Sequence, residues 1–225
     1  MYKMSDARYG FIGDVHGDIE ALRWALDRLA DCERIFCLGD IVDGPRDRDC
    51  IELLRQGPVT VLRGNHDHWA QRDTFMRSRH SDEERQWLAS LPLFHEEDGW
   101  RACHSRYDVE GKEVFWEYID HDGAARKLWD EHAQPVTLCG HTHIPAVHVL
   151  EHDRVVYRGT SFLQQESSSI VFEPGKRYIV NVGRPTMCVV MLRANQCEFR
   201  FRAEAPPPQA VPTARKSRWQ SLWDR

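Results

Sequence analysis

Three short apolar runs in the first third of the chain each end in glycine next to residue types that bind metals. Residues 9–12 run into Gly13-Asp14-Val15-His16-Gly17, residues 35–38 into Gly39-Asp40, and residues 59–62 lead to Gly64-Asn65-His66-Asp67. Between the first two runs, Ile19, Leu22, Leu26 and Leu29 recur at helical spacing, and residues 49–55 predict a second helix. Strand and helix in alternation predict parallel βαβ units. In an open α/β sheet, ligands bind beyond the carboxyl ends of the strands. Asp40 follows Asp14 by 26 residues and Asn65 follows Asp40 by 25. That is room for each strand to return parallel to its neighbour through one helix, which brings the three loops together at one edge.

The rest of the chain continues the pattern. Ser81-Asp82-Glu83-Glu84 ahead of Trp87, Leu88 and Leu91 is a capping box opening a helix. Residues 101–103 predict a strand leading to His104. Residues 113–118 and 124–132 predict helices, and residues 136–139 a strand ending in Gly140-His141-Thr142-His143. From residue 146 to about 202 the pattern is short strands and turns, such as Glu173-Pro174-Gly175-Lys176. The character changes at Ala203: Pro206-Pro207-Pro208 excludes a helix, and Arg215-Lys216-Ser217-Arg218 is basic. The division expected is one domain over residues 1–203 and a flexible Pro-rich, basic tail over 204–225. Trp219, Leu222 and Trp223 stand at i, i+3 and i+4, a face a partner could cover; a tail that folds back or stays disordered is the plainer reading.

Composition excludes several classes. With 41% apolar and 29% charged residues in 225, the chain can bury a core, so it is not wholly disordered. No stretch approaches the roughly 18 apolar residues needed to cross a bilayer, and residues 1–10 lack the apolar region of a secretory signal. No membrane association is expected. The net charge of −5 and pI near 6.2 disfavour a nucleic-acid partner without closing that possibility. The 7 cysteines are odd in number and form no C-x-x-C pair, so neither a disulfide framework nor a thiolate zinc site is indicated, and a reducing cytoplasm fits best.

A cluster of carboxylate and imidazole without thiolate suits Mn, Fe, Zn, Co or Ni in a catalytic site with open positions. There are more ligands than one ion needs, and the two oxygens of Asp40 can bridge a pair. Two divalent ions would outweigh the charge of Asp14 and Asp40, attract phosphate and lower the pKa of a bridging water. Such a site needs no Ser or Cys nucleophile. Each motif alone is weak; four in this order, each at a strand end, are hard to read as ordinary polar residues.

These motifs resemble those of the calcineurin-like metallophosphoesterases over about residues 9 to 195, with Gly39-Asp40-Ile41-Val42-Asp43 as the second. Ile144-Pro145-Ala146 and Tyr178-Ile179-Val180-Asn181-Val182-Gly183 are similar to the small bacterial YfcE-like branch. The resemblance implies an α/β fold in which a two-sheet β-sandwich is flanked by helices. It implies a first metal on Asp14, His16, Asp40 and His143 and a second on Asp40, Asn65, His104 and His141, with manganese the first choice. His66 would protonate the leaving oxygen and Asp43 would orient its ring. The implied activity is hydrolysis of a small phosphorylated substrate, a phosphomonoester or phosphodiester, by in-line attack of a metal-bridging hydroxide. A nuclease or nucleic-acid end-processing enzyme and a non-catalytic scaffold of the same fold are the alternatives. The scaffold case lacks the histidine that is present here as His66. Oligomeric state is left open.

Two departures stand out. Protein phosphatases and symmetrical diadenosine-tetraphosphate hydrolases of the family carry Arg where Gly44 stands here, so the phosphate-clamping Arg is absent there, leaving Arg46, Arg48 and Arg106 as candidate substitutes. Ser105 follows His104 where the family usually has Gly, so a different local turn is expected. His68 is a candidate for the pocket wall. His80, His95, His121, His132, His148 and His152 are expected at the surface or in ordinary packing, and Trp69 either shapes the cleft or covers the core.

Overall fold

The computed structural model describes residues 6–110, 113–152, 154–158, 167–185 and 188–202. The first half is the expected alternation: β1 (Arg8–Ile12), α1 (Ile19–Arg28), β2 (Arg34–Cys37), α2 (Asp47–Gln56) and β3 (Val59–Val61). Three helices follow: α3 (Asn65–Trp69), α4 (Thr74–Arg79) and α5 (Asp82–Ser90). Then come β4 (Phe94–Glu97), β5 (Trp100–Cys103), β6 (Arg106–Glu110), β7 (Glu113–Glu117), α6 (Asp122–Asp130), β8 (Val136–Cys139), β9 (Ala146–Glu151), β10 (Arg154–Arg158), β11 (Ser167–Val171), β12 (Arg177–Asn181), β13 (Cys188–Arg193) and β14 (Gln196–Phe201).

Helix starts follow their local signals. Ser81 Oγ accepts from the Glu84 amide at 3.2 Å while a Glu84 carboxylate oxygen accepts from the Ser81 amide at 2.7 Å, the capping box read from the sequence. Asp18 caps α1 by accepting from the Ala21 amide at 2.9 Å.

The strands form two mixed six-stranded sheets, ordered β11-β14-β13-β1-β2-β3 and β10-β9-β12-β8-β5-β4. β1, β2 and β3 run parallel, as do β5, β8 and β12. Alternation at period two sends one face of each strand into the core between the sheets and the other towards helices. From β13, Val190 and Leu192 join Phe11, Phe36, Trp100, Leu138, Val180 and Phe199 in the central core, while Val189 packs with Leu22, Ala25, Cys50, Ile51 and Leu54 of α1 and α2. Ile179 of β12 instead meets Leu128 and Trp129 of α6. This is the helix-flanked α/β β-sandwich expected of the chain.

One expectation fails here. Residues 113–118, read as helical, hold strand β7, which pairs antiparallel with β6 from Arg106↔Glu117 to Glu110↔Glu113. Val114, Phe115 and Trp116 are β-branched or aromatic, and a nearby partner strand satisfies their backbone where helix capping would be needed instead. The tail at 204–225, with Trp219, Leu222 and Trp223, lies outside the described residues. No helix among the described residues is long and apolar enough to cross a membrane.

Candidate metal centre

The parallel strands of both sheets end at one edge, and their following residues converge there. Asp14 and His16 follow β1, Asp40 follows β2, Asn65 and His66 open α3 after β3, His104 follows β5, and His141 and His143 follow β8. The two sheets are joined at this edge, where His104 Nδ1 lies 3.0 Å from the Leu38 carbonyl oxygen; within the second sheet the His104 carbonyl accepts from the Gly140 amide at 2.9 Å. Asp14 draws in the last loop, accepting from the His141 amide at 2.9 Å and 3.1 Å with its two oxygens.

Two groups of ligand atoms result. Asp14, His16, Asp40 and His143 form one, and Asp40, His104 and His141 the other; within each, the atoms lie within 4.8 Å of one another. In the first, His16 Nε2 and His143 Nε2 are 3.0 Å apart, and His143 Nε2 is 3.7 Å from Asp14 Oδ1. In the second, His104 Nε2 is 2.9 Å from Asn65 Oδ1, 3.1 Å from His141 Nδ1 and 3.3 Å from Asp40 Oδ2. Asn65 therefore stands at the second group. His104 and its unusual neighbour Ser105 are both fully enclosed, and the Ser105 hydroxyl donates to the Glu117 carbonyl at the base of the β6–β7 hairpin. The substitution of Ser for Gly leaves His104 in place.

The donor set fits metal ions on two further grounds. Asp40 Oδ2 and His141 Nε2 are buried and meet no hydrogen-bond partner in good geometry. Burial also lowers the imidazoles, His16 to about 4, His143 to about 3 and His141 well below its usual range, so these rings are neutral with a free lone pair at pH 7. Burial opposes charge on His104, but neighbouring Asp40 lifts it to about 9. Burial likewise opposes charge on Asp40, yet the charges of His104, His66 and His16 hold it well below the carboxylate range. Burial pushes Asp14 up to about 7.

Backbone close approach builds the edge. A Cβ at Gly64 would overlap Asp40 Oδ1, which is also where the His66 amide donates at 2.9 Å. A Cβ at Gly44 would overlap the His16 carbonyl oxygen, so this position holds no side chain at all, let alone the missing Arg.

A sequence profile described as the calcineurin-like phosphoesterase superfamily domain matches residues 8–194. The chain belongs to the calcineurin-like phosphoesterase superfamily. A metallophosphoesterase from Sphaerobacter thermophilus has the same fold at a TM-score of 0.69 and 25% identity, over 88% of this chain and 90% of that one. The hypothetical protein PH1004 from Pyrococcus horikoshii OT3 shares the fold at 0.56 and 14% identity, over 87% and 89%. The uncharacterized protein MJ0912 of Methanocaldococcus jannaschii is 28% identical over 193 residues, 76% of this chain and 73% of that protein.

Within this superfamily member, the side chains around the metal centre sort themselves by contact. His66 Nδ1 is 3.0 Å from Asp43 Oδ2; burial opposes its charge, but the Asp43 hydrogen bond and the Asp40 charge raise its pKa. Trp69 is 41% exposed and meets the His66 ring edge-on at 5.0 Å, so it borders the cleft and does not cover the core. His68 is buried against Trp116 with ring centroids 5.3 Å apart, below the cleft wall. His80 is buried, its Nε2 3.5 Å from Asp47 Oδ2, and His148 is buried with Nε2 3.2 Å from the Ile119 carbonyl oxygen; both serve packing. Arg46, Arg48 and Arg106 are tied to carboxylates, at 2.5 Å to Asp49, 3.1 Å to Glu84 and 2.7 Å to Glu131.

Sequence reasoning passed over two residues. Asp67 is fully buried and clamps the Asp40 loop, accepting from the Asp40, Ile41 and Gly64 amides at 2.9 Å each. Its place directly after Asn65-His66 was the available signal. Tyr118, 49% exposed, stacks on His141 with centroids 4.0 Å apart, and nothing in its local sequence announces this.

Proposed function

We propose that the protein hydrolyses phosphomonoesters or phosphodiesters of small substrates at a pair of divalent ions. Asp14, His16, Asp40 and His143 would hold one ion, and Asp40, Asn65, His104 and His141 the other. The observation that carries this reading is the pair of ligand clusters sharing one buried carboxylate with an orphaned oxygen. When bound, the ions supply an acidified water and positive charge for the phosphoryl oxygens. Asp40, ionised and enclosed, faces both groups. Asp67 holds the Asp40 loop to the start of α3. His66 stands beside the clusters, its ring centroid 4.8 Å from that of His16, with its protonated form favoured by Asp43. It can therefore donate a proton to the leaving oxygen, while Asp43 fixes the ring.

The oxygen and nitrogen donors without thiolate favour manganese, with Fe, Zn, Co or Ni able to replace it. The YfcE-like branch rests on the residues at 144–146 and 178–183. The 7 cysteines are free thiols, which supports a reducing cytoplasm. A nucleic-acid substrate would need a basic track, whereas Arg46, Arg48, Arg79 and Arg106 at the rim are all bound to carboxylates.

The test is hydrolysis of p-nitrophenyl phosphate and its bis-ester by metal-stripped protein reloaded with Mn, Ni, Co or Zn. Turnover that returns only with metal supports the proposal; a fully reloaded protein inert to both esters overturns it.

A further inference from the structure

We infer that Arg184 is the phosphate-binding cation of this site, its guanidinium gripping a non-bridging oxygen of a substrate lodged against the first ligand group; the inference rests on the phosphoesterase reading above. The rim has other arginines, but each is already engaged. Arg79 reaches Asp43 at 3.3 Å, Asp47 at 3.1 Å and the Gly44 carbonyl. Arg46 and Arg48 are held by Asp49 and Glu84, and Arg106 lies among Asp108, Glu117 and Glu131. Gly44 has no room for any side chain.

Arg184 differs from all of these. It is half-buried, its Nε is shielded from solvent, and among the described residues its guanidinium has no hydrogen-bond or ion-pair partner. Yet its turn lies against the first ligand group: a Cβ on Gly13, next to Asp14, would meet Val182 Cγ2 and the Gly183 carbonyl oxygen. A guanidinium left partly desolvated and, among the described residues, unpaired is costly unless an anion completes it. Its planar fork matches phosphate oxygens.

Its mounting is firm. Asn181 Nδ2 donates to the Gly140 carbonyl at 2.6 Å, and Asn181 Oδ1 accepts from the Gly183 amide at 3.0 Å. The Val182 amide donates to the Cys139 carbonyl at 2.8 Å, and the Arg184 carbonyl accepts from the Cys188 amide at 3.1 Å. The turn that carries Arg184 is thus stapled to the loop that carries His141 and His143, which fixes its backbone relative to both. An added cation beside two metals favours a dianionic monoester over a monoanionic diester.

The experiment compares manganese-loaded wild type, Arg184→Met and Arg184→Lys. Calorimetry with inorganic phosphate gives affinity, mass spectrometry gives metal content, and kcat/KM is measured on p-nitrophenyl phosphate and its bis-ester. Arg184→Met is expected to keep its metal, to bind phosphate about ten- to a hundredfold more weakly, and to lose more on the monoester than on the bis-ester. Arg184→Lys should fall between the two, keeping charge without the fork. Unchanged phosphate affinity in Arg184→Met overturns the assignment, as does parallel loss of metal, which would make Arg184 a support for Asp14. If the loaded wild type hydrolyses neither ester and binds no phosphate, it is the phosphoesterase reading that falls.

Discussion

The strand-end rim and helix α5 obey opposite rules. At the start of α5 the local preferences are met: Ser81 and Glu84 close the capping box, the first turn is acidic, and Arg48, Arg55 and Arg85 reach Glu84, Glu83 and Asp82. At the rim, Asp14, His16, Asp40, Asp43, His141 and His143 all have positive φ, between 47° and 82°; among the described residues the other non-glycine cases are His152 and Ala194. Such a conformation costs an L-residue about 1 kcal/mol or more. The rim also buries Asp14, Asp40 and Asp67 in one small volume. Strain and buried like charge lower stability and would not be concentrated at one edge without a chemical use for the arrangement. The lesson of the contrast is that a change at the rim should cost function and a change in α5 should cost stability.

The largest effect that would break this contrast comes from Asp40. Asp40→Asn removes the carboxylate common to both groups, and turnover of p-nitrophenyl phosphate should drop about a thousandfold or more. An active Asp40→Asn protein would refute the shared-carboxylate site. Next comes His66→Asn, which should lose about a hundred- to ten-thousandfold in rate while mass spectrometry finds the metal content of wild type; loss of metal would make His66 a ligand.

Effects in α5 should be smaller and of the other kind. Ser81→Ala should lower unfolding free energy by about 1 kcal/mol in urea titration with kcat unchanged; a fall in kcat at full stability would undo the contrast. Burial opposes ionisation of Glu84, but the Ser81 amide, Ser81 hydroxyl and Arg48 together hold its carboxyl below the usual value of 4.5. A depressed folded pKa gives stability that is present above pH 4.5 and fades as pH falls through the folded value. Part of the acid-induced loss should therefore vanish in Glu84→Gln. The smallest effect is expected from removing residues 204–225, which should leave hydrolysis of a small chromogenic ester intact; collapse of that activity would place the tail in the site.

Legibility followed the range of the interactions. The α5 capping box spans a few residues and was readable as written. The strands before Asp14, Asp40 and His141 were readable because apolar runs ended in glycine within a residue or two. Residues 113–118 were misread because whether that segment pairs depends on Arg106–Glu110 lying alongside, not on its own pattern. Trp69 could not be assigned to cleft or core until its edge was seen against His66.

The amino-acid sequence by itself determined the donor types, their order and their placement after apolar runs, since alternation and turn chemistry act over short stretches of chain. Tertiary structure alone decided that His16 and His143, 127 residues apart, come within 3.0 Å, and that Asp40 belongs to both ligand groups. It also decided that Gly44 leaves no space for an Arg. The physical reason is that these distances are set by how two sheets pack across a common core, and no local stretch of chain contains that information.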